Sequence, residues 1–316
     1  MSAETSTTQR SPYVLALAEV RGIERVSPNF VRITFSGPEL AEFGTPGDVF
    51  DVRIKVIFPP ASRVLPPVDR DADDWWGAFL AVPEDERGSM RTYSVRELRV
   101  ADTGETEVVV DFVLHLQPGL TGPASSWAST AAVGDELLIV GPRRNREDRS
   151  GIEYAPGDAS SVLLAGDETA APAIARILED APRDLRGHAF IEVPSAADIL
   201  SIQAPSGVSV TWLPRATGAL HGTSLIPTVL AHLGDAPATV EVRDLEGEDL
   251  VWETPVYSGL GEEISEPDAT ADTYFWIAGE SGVVTTLRRH LVKDLGIDRA
   301  QVAFMGYWRR GVAMRG

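Results

Sequence analysis

The sequence has no cysteine among its 316 residues. That excludes disulfides, zinc–thiolate sites, cysteine-ligated iron–sulfur clusters and thiol catalysis. Lysine is almost missing as well, with Lys55 and Lys293 the only two. Arginine therefore carries the positive charge; its planar fork suits bidentate anion recognition, although genome base composition produces the same bias. The five histidines, at 115, 188, 221, 232 and 290, show no metal-ligand pairing at helical spacing, so no protein-built metal centre is expected. No hydrophobic run reaches membrane-spanning length, and residues 1–12 are polar, without the apolar core of a signal peptide. The expectation is a cytoplasmic enzyme or binding protein with a loose tail over 1–12. A formal charge of −19 opposes docking on nucleic acid or on an anionic membrane. Any anionic ligand must therefore be met by a local cluster of cations.

What is present describes an ordinary soluble globular chain, 43% hydrophobic and 24% charged, with room for two domains. Tyr13–Val26, Phe30–Ser36, Val49–Phe58, Arg91–Val100, Val108–Gln117 and Glu136–Val140 are β-branched or alternating runs separated by Gly, Pro and Asp. They predict an antiparallel barrel or sandwich over 13–142. Pro59–Glu86 is aperiodic and reads as a long loop, and Gly122–Ala128 reads as a helix start with Pro123 in its first turn. Arg143, Arg144, Arg146 and Arg149 sit among Gly, Asp and Asn in a linker over 143–159. From 160 to 316 strand and helix alternate: strands Ser161–Ala165, His188–Val193, Val208–Leu213, Tyr274–Ala278 and Gln301–Met305, with helices Ala170–Ala181, Thr223–Leu233 and Gly282–Leu295. This alternation predicts a parallel sheet covered by helices. The acidic stretch Gly234–Asp272 interrupts it as an extra hairpin or surface loop.

Four constellations carry chemistry. Along Arg91-Thr92-Tyr93-Ser94 the strand period points Arg91 and Tyr93 one way and Thr92 and Ser94 the other. Such a strand can fork onto a phosphate, pack on a heteroaromatic plane and bond a ring edge, or it can simply be a half-buried surface strand. Gly122-Pro123-Ala124-Ser125 offers unpaired amides at the positive end of a helix, an anion site or an ordinary helix start. Asp111 and His115 share a face of their strand. Gly166-Asp167-Glu168-Thr169, and later Trp276 to Gly282 with Glu280, are strand–turn–helix junctions of the nucleotide-binding kind. They lack the Gly-x-Gly-x-x-Gly spacing, and their acids also suit helix capping. On the strand Asp51–Phe58, Arg53 and Lys55 share one face, opposite Val52, Ile54, Val56 and Phe58.

Arg91–Ser94, Asp111–His115, Gly122–Ser125 with Trp127, Gly166–Thr169, Trp276–Glu280 and Gly306–Arg309 occur in the order seen in siderophore-interacting proteins, the FAD-dependent ferric-siderophore reductases. The chain resembles that family from about Val14 onward. The resemblance implies an antiparallel flavin-binding β-barrel followed by a parallel-sheet α/β domain that binds NADPH or NADH. By position it implies that Tyr93 stacks on the isoalloxazine, Ser94 bonds near N5, and Arg91 with Gly122, Pro123, Ala124 and Ser125 holds the diphosphate. Thr92 and Trp127 belong to the same motifs, and Asp111, Val113 and His115 line the flavin. Gly166, Asp167, Glu168, Thr169 and Glu280 face the nicotinamide nucleotide. Lys55, Arg143 and Arg309 form the basic pocket for the ferric siderophore. Ferredoxin is an alternative electron donor, and a general flavin or quinone reductase and a non-catalytic carrier are the rival functions.

Overall fold

Alternation governs the first half of the chain. The computed structural model describes residues 11–45, 47–70, 72, 74–116, 121–145, 151–235, 242, 251–254, 257–258 and 272–311. Its first sheet contains β1 (Tyr13–Ser27), β2 (Phe30–Ser36), β3 (Arg53–Phe58), β4 (Ser89–Ser94), β5 (Glu97–Val100), β6 (Thr106–Val113) and β7 (Glu136–Pro142). The seven strands pair antiparallel in the order β4-β3-β7-β1-β2-β6-β5. The sheet curls around one apolar face, where Val31, Ile33 and Phe35 of β2 meet Ile54, Val56 and Phe58 of β3 and Val108, Val110 and Phe112 of β6. A helix, α3 (Pro123–Thr130), packs across β3, β4 and β6 and buries Ala124 and Ala128.

Two expectations are corrected here. The run Arg91–Val100 is two strands rather than one, because the chain changes partner between them: Val95 N bonds Val52 O at 3.0 Å and Arg96 N bonds Val109 O at 2.8 Å. The segment Pro59–Glu86 is not all loop; it forms α1 (Trp75–Ala81) and begins α2 (Glu84–Arg87). Asp74 caps α1 by accepting from Gly77 N at 2.9 Å, and Phe79 pins the helix into a satellite core with Leu15, Ile57 and Met90 on the outer face of the sheet.

The second sheet runs β10 (Gly207–Pro214), β9 (Arg186–Val193), β8 (Ser161–Gly166), β13 (Thr273–Glu280), β14 (Val302–Trp308), β11 (Trp252–Thr254), β12 (Tyr257–Ser258). Strands β10 to β14 are parallel, and the β11–β12 hairpin adds antiparallel at the edge. That hairpin comes from the acidic segment; most of the rest of that segment, the tail over 1–10, Arg146 and Arg149 lie outside the described residues. Helix α4 (Ala171–Asp180) covers one face, while α5 (Leu225–His232) and α6 (Ser281–Arg288) cover the other. The strand order reverses between β8 and β13, and the carboxyl ends of strands at such a reversal are the usual ligand position in such sheets.

The two halves are joined by buried polar contacts. Asp51 is fully buried and accepts from Tyr154 N at 3.0 Å and from Trp276 Nε1 at 2.9 Å. Arg96 forks onto Glu179 of α4 at 2.7 and 2.6 Å. Asp180 takes Val49 N and Phe50 N at 3.0 and 2.9 Å. These last bonds stop β3 from starting as early as Val49. Asp198 accepts from Ser27 Oγ at 2.7 Å and Asn29 N at 2.9 Å. Ser27→Ala removes one of several donors to that carboxylate and should cost about 1–2 kcal/mol, read as a fall of a few degrees in Tm; an unchanged Tm would deny the contact its role.

Candidate functional site

On β4 the strand period holds. Tyr93 turns to the barrel core, with its ring 4.6 Å from that of Phe112 and 6.2 Å from that of Phe58. Burial raises its phenol pKa. Thr92 turns the other way and accepts from Lys55 Nζ at 2.7 Å. Ser94 is buried. Arg91 is half-buried, and among the described residues its side chain makes one hydrogen bond, from NH1 to Met90 O at 2.7 Å. Burial lowers its pKa, and no carboxylate among the described residues pairs with it.

Helix α3 packs against this strand. Gly122 is its N-cap with φ −75° and ψ 164°, no side chain among the described residues caps the helix, and a Cβ at Gly122 would meet nothing within 4 Å. Ser125 is not a free donor: its hydroxyl bonds Val113 O at 3.1 Å and receives His115 N at 3.4 Å, tying the helix start to the end of β6. Trp127 braces the helix from inside, stacked on Phe35 with ring centres 6.3 Å apart. A half-buried guanidinium with no carboxylate partner among the described residues, on a strand that α3 packs against, together with the amides at the start of that helix suits a diphosphate, so these residues suit FAD.

Asp111, Val113 and His115 share a face, as the alternation predicts, and that face looks toward the α/β domain. Asp111 is buried and held by Arg32, with Nε–Oδ1 at 2.7 Å and NH2–Oδ2 at 2.9 Å. Val113 packs against the α/β core. His115 crosses over to Glu168, 3.2 Å from Oε1.

At the carboxyl ends of β8 and β13 the acids are structural ties. Asp167 accepts from Thr169 N and Oγ1 at 2.9 and 2.6 Å through one oxygen, and from Glu280 N and Trp308 Nε1 at 2.8 and 2.9 Å through the other. Both Gly166 and Gly279 are needed there. A Cβ on Gly166 would sit 2.4 Å from Ala170 Cβ, and one on Gly279, whose φ is +137°, would sit 2.7 Å from the Asp167 carboxylate. Glu280 caps α6 by accepting from Val283 N at 3.0 Å. Glu168 is almost fully buried and binds Arg215 through both oxygens at 2.7 and 2.8 Å, while His221 lies 3.0 Å from Oε1. Burial pushes its pKa up, and His115, His221 and Arg215 together more than offset that, leaving it well below the ordinary carboxylate value. Arg215 also reaches Glu192 at 3.2 Å, and Glu192 in turn accepts from Gly222 N and Leu225 N at the start of α5. The Trp308 ring closes the cluster, 4.7 Å from His221 and 5.7 Å from His115.

The basic residues divide. Lys55 is exposed on the outer face of β3 and forms no ion pair among the described residues. Arg309 follows Trp308 at the end of β14 and is half-buried. Arg143 is engaged elsewhere: it donates to Ser11 O at 3.0 Å, pairs with Glu42, and lines a separate cavity of about 820 Å³ with Tyr13 and Trp75. Sequence reasoning missed Arg32, Arg215 and His221. A buried-strand run such as Val108–Val113 that contains one aspartate demands a cationic partner, which is the signal that could have pointed to Arg32.

Comparison with known proteins fits this geometry. Residues 19–146 match the siderophore-interacting FAD-binding domain, and residues 159–311 match the siderophore-interacting protein domain. The ferric vibriobactin reductase ViuB of Vibrio cholerae is 28% identical over 90% of this chain and 86% of its own length. The NADPH-dependent ferric-chelate reductase of Escherichia coli is 27% identical over 90% of this chain and 89% of its own. A solved siderophore utilization protein from T. fusca superposes with a TM-score of 0.67 at 30% identity, covering 96% of each chain. With both halves matched and that likeness spanning both domains, the chain belongs to the siderophore-interacting protein family and carries its FAD-binding domain.

Proposed function

We propose that the protein is an oxidoreductase that reduces iron(III) held by an anionic siderophore to iron(II), using FAD and electrons from NADPH or NADH, and that it releases iron in the cytoplasm. The observation that carries this reading is Arg91, a half-buried cation with no counter-ion among the described residues, on the strand against which α3 packs. Arg91 and the amides of Gly122, Pro123's neighbour Ala124 and Ser125 would hold the diphosphate. Tyr93 would lie against the flavin and Ser94 would bond its polar edge, with Thr92 and Trp127 holding strand and helix in place. Bound there, FAD supplies the redox chemistry, taking up a hydride and giving electrons singly to iron.

The nucleotide donor would approach the carboxyl ends of β8 and β13. There Gly166, Asp167, Glu168, Thr169 and Glu280 set the shape of the two loops; their carboxylates are occupied by caps and cations, so backbone amides are the groups left to meet phosphate. Lys55 and Arg309 would localise the chelate on a chain that otherwise repels it, given the net charge of −19. No side chain needs to act as acid, base or nucleophile. Reduction weakens the grip of hard oxygen ligands on iron, which is what frees the metal. The names of the V. cholerae and E. coli relatives support the same reaction class.

The test is anaerobic. FAD-loaded protein is mixed with NADPH or NADH, then with a ferric siderophore and an iron(II) trap. The expected result is bleaching of the flavin by one of the nucleotides, followed by recovery of its colour together with trapped iron(II). No bleaching by either nucleotide, with reduction by ferredoxin instead, would reassign the donor. No bleaching by any donor would leave a carrier, and equal reoxidation by quinones would make it a general reductase.

A further inference from the structure

We propose that Arg53 is a second anion-facing cation of the chelate site, paired with Lys55 and set in orientation by Trp252, and that it makes the protein select anionic over neutral chelates. This rests on the ferric-siderophore reading above. Arg53 and Lys55 lie two residues apart on β3, so both point from the outer face, and the ladder sets them opposite Ser94 and Thr92. Like charges so placed repel one another unless an anion is shared between them. Partial desolvation of the amine and then the Arg53 charge lower the Lys55 pKa although the residue keeps an exposed surface, which is what an amine awaiting an anion would show.

The surroundings of Arg53 are built. Its guanidinium carbon lies 4.1 Å from the centre of the Trp252 ring, which β11 brings across from the acidic segment. That ring is stacked on Tyr307 at 6.2 Å and 22°. Cation and ring attract through the quadrupole, so Trp252 fixes the plane of the fork. Among the described residues Arg53 pairs with one carboxylate, Glu153, through NH2. Its Nε is buried without a hydrogen-bond partner among the described residues, yet the side chain as a whole keeps 26% of its exposure. Glu153 is therefore an internal competitor for the charge a chelate would use.

That competition gives opposite signs to two substitutions. The probes are redox-inert: a gallium(III) complex of a hexadentate tris-catecholate, which is a trianion, and a neutral gallium(III) tris-hydroxamate macrocycle. Binding to oxidised, FAD-loaded protein is measured by calorimetry. Arg53→Gln should weaken trianion binding about tenfold and flatten its salt dependence, while Glu153→Gln should strengthen it several-fold. Neither should move affinity for the neutral complex. If Arg53 and Glu153 serve only as a tie between domains, both substitutions would lower stability and change the two affinities alike, which overturns the proposal. Unchanged trianion affinity in Arg53→Gln with a native Tm also overturns it, leaving the reductase reading intact. Failure of the unsubstituted protein to bind either complex overturns both.

Discussion

Replacing Arg91 with alanine should raise the Kd for FAD by about a hundredfold, the loss of two charge-assisted bonds to phosphate at roughly 1.5 kcal/mol each. The folded state should be almost untouched, because among the described residues the Arg91 side chain bonds only to the carbonyl next to it, Met90 O. A partly desolvated guanidinium without a counter-ion costs stability, so its removal could even raise the Tm of the flavin-free protein. Flavin fluorescence titration reads the first effect and a thermal melt the second. An alanine variant that binds FAD as tightly as the unsubstituted protein would remove the diphosphate from this corner of the barrel.

Glu168→Gln is the other large effect, and it acts on stability. The substitution keeps the shape of the side chain but strips the buried carboxylate from Arg215, His115 and His221. Breaking a buried pair in this way costs about 3–5 kcal/mol, or roughly ten degrees in Tm. The pH dependence has two limbs. Glu168 is held below its ordinary 4.5, so its contribution is present above that pH and is lost as pH falls through the folded value. For His221, burial lowers the pKa and Glu168 raises it by more, leaving it above the ordinary 6.5. Its contribution is complete below that pH and is lost as pH rises through the folded value. Stability from the cluster should therefore be greatest between about 4.5 and 6.5. A melt series across pH should show that dome in the unsubstituted protein and a flatter profile in Glu168→Gln; a parallel pair of curves would mean that the cluster does not titrate as a unit.

Much of this architecture is legible in the sequence because it rests on period. Phe30–Ser36 and Ser161–Gly166 declare themselves as an alternating strand and a buried one, and the β8 and β13 junctions read as strand–turn–helix. The sides taken by Arg91, Thr92, Tyr93 and Ser94 follow from the same rule. Helix α1 is not legible because it is short and its order comes from Phe79 docking on the outer face of the sheet, a contact distant in sequence. The split of Arg91–Val100 is hidden for a similar reason: both parts have strand composition, and only the change of partner at Val95 and Arg96 divides them. The acids after β8 and β13 are ambiguous in sequence, since a carboxylate at a helix start serves as a cap or faces a ligand. Their partners decide, and Arg215, His221 and Trp308 lie far along the chain. The pairing of Arg53 with Trp252 joins the first domain to a hairpin about two hundred residues later, and nothing local announces it.

The central claim is that the strand Arg91–Ser94 and the start of α3 together form the flavin site. A crystal structure of the protein grown with FAD tests it most directly. The account predicts the ring system against Tyr93 and the two phosphates between the Arg91 guanidinium and the amides following Gly122. An FAD bound elsewhere, or a structure from FAD-saturated crystals in which Arg91 has turned to an acidic residue and the crevice is filled by side chains, would contradict it.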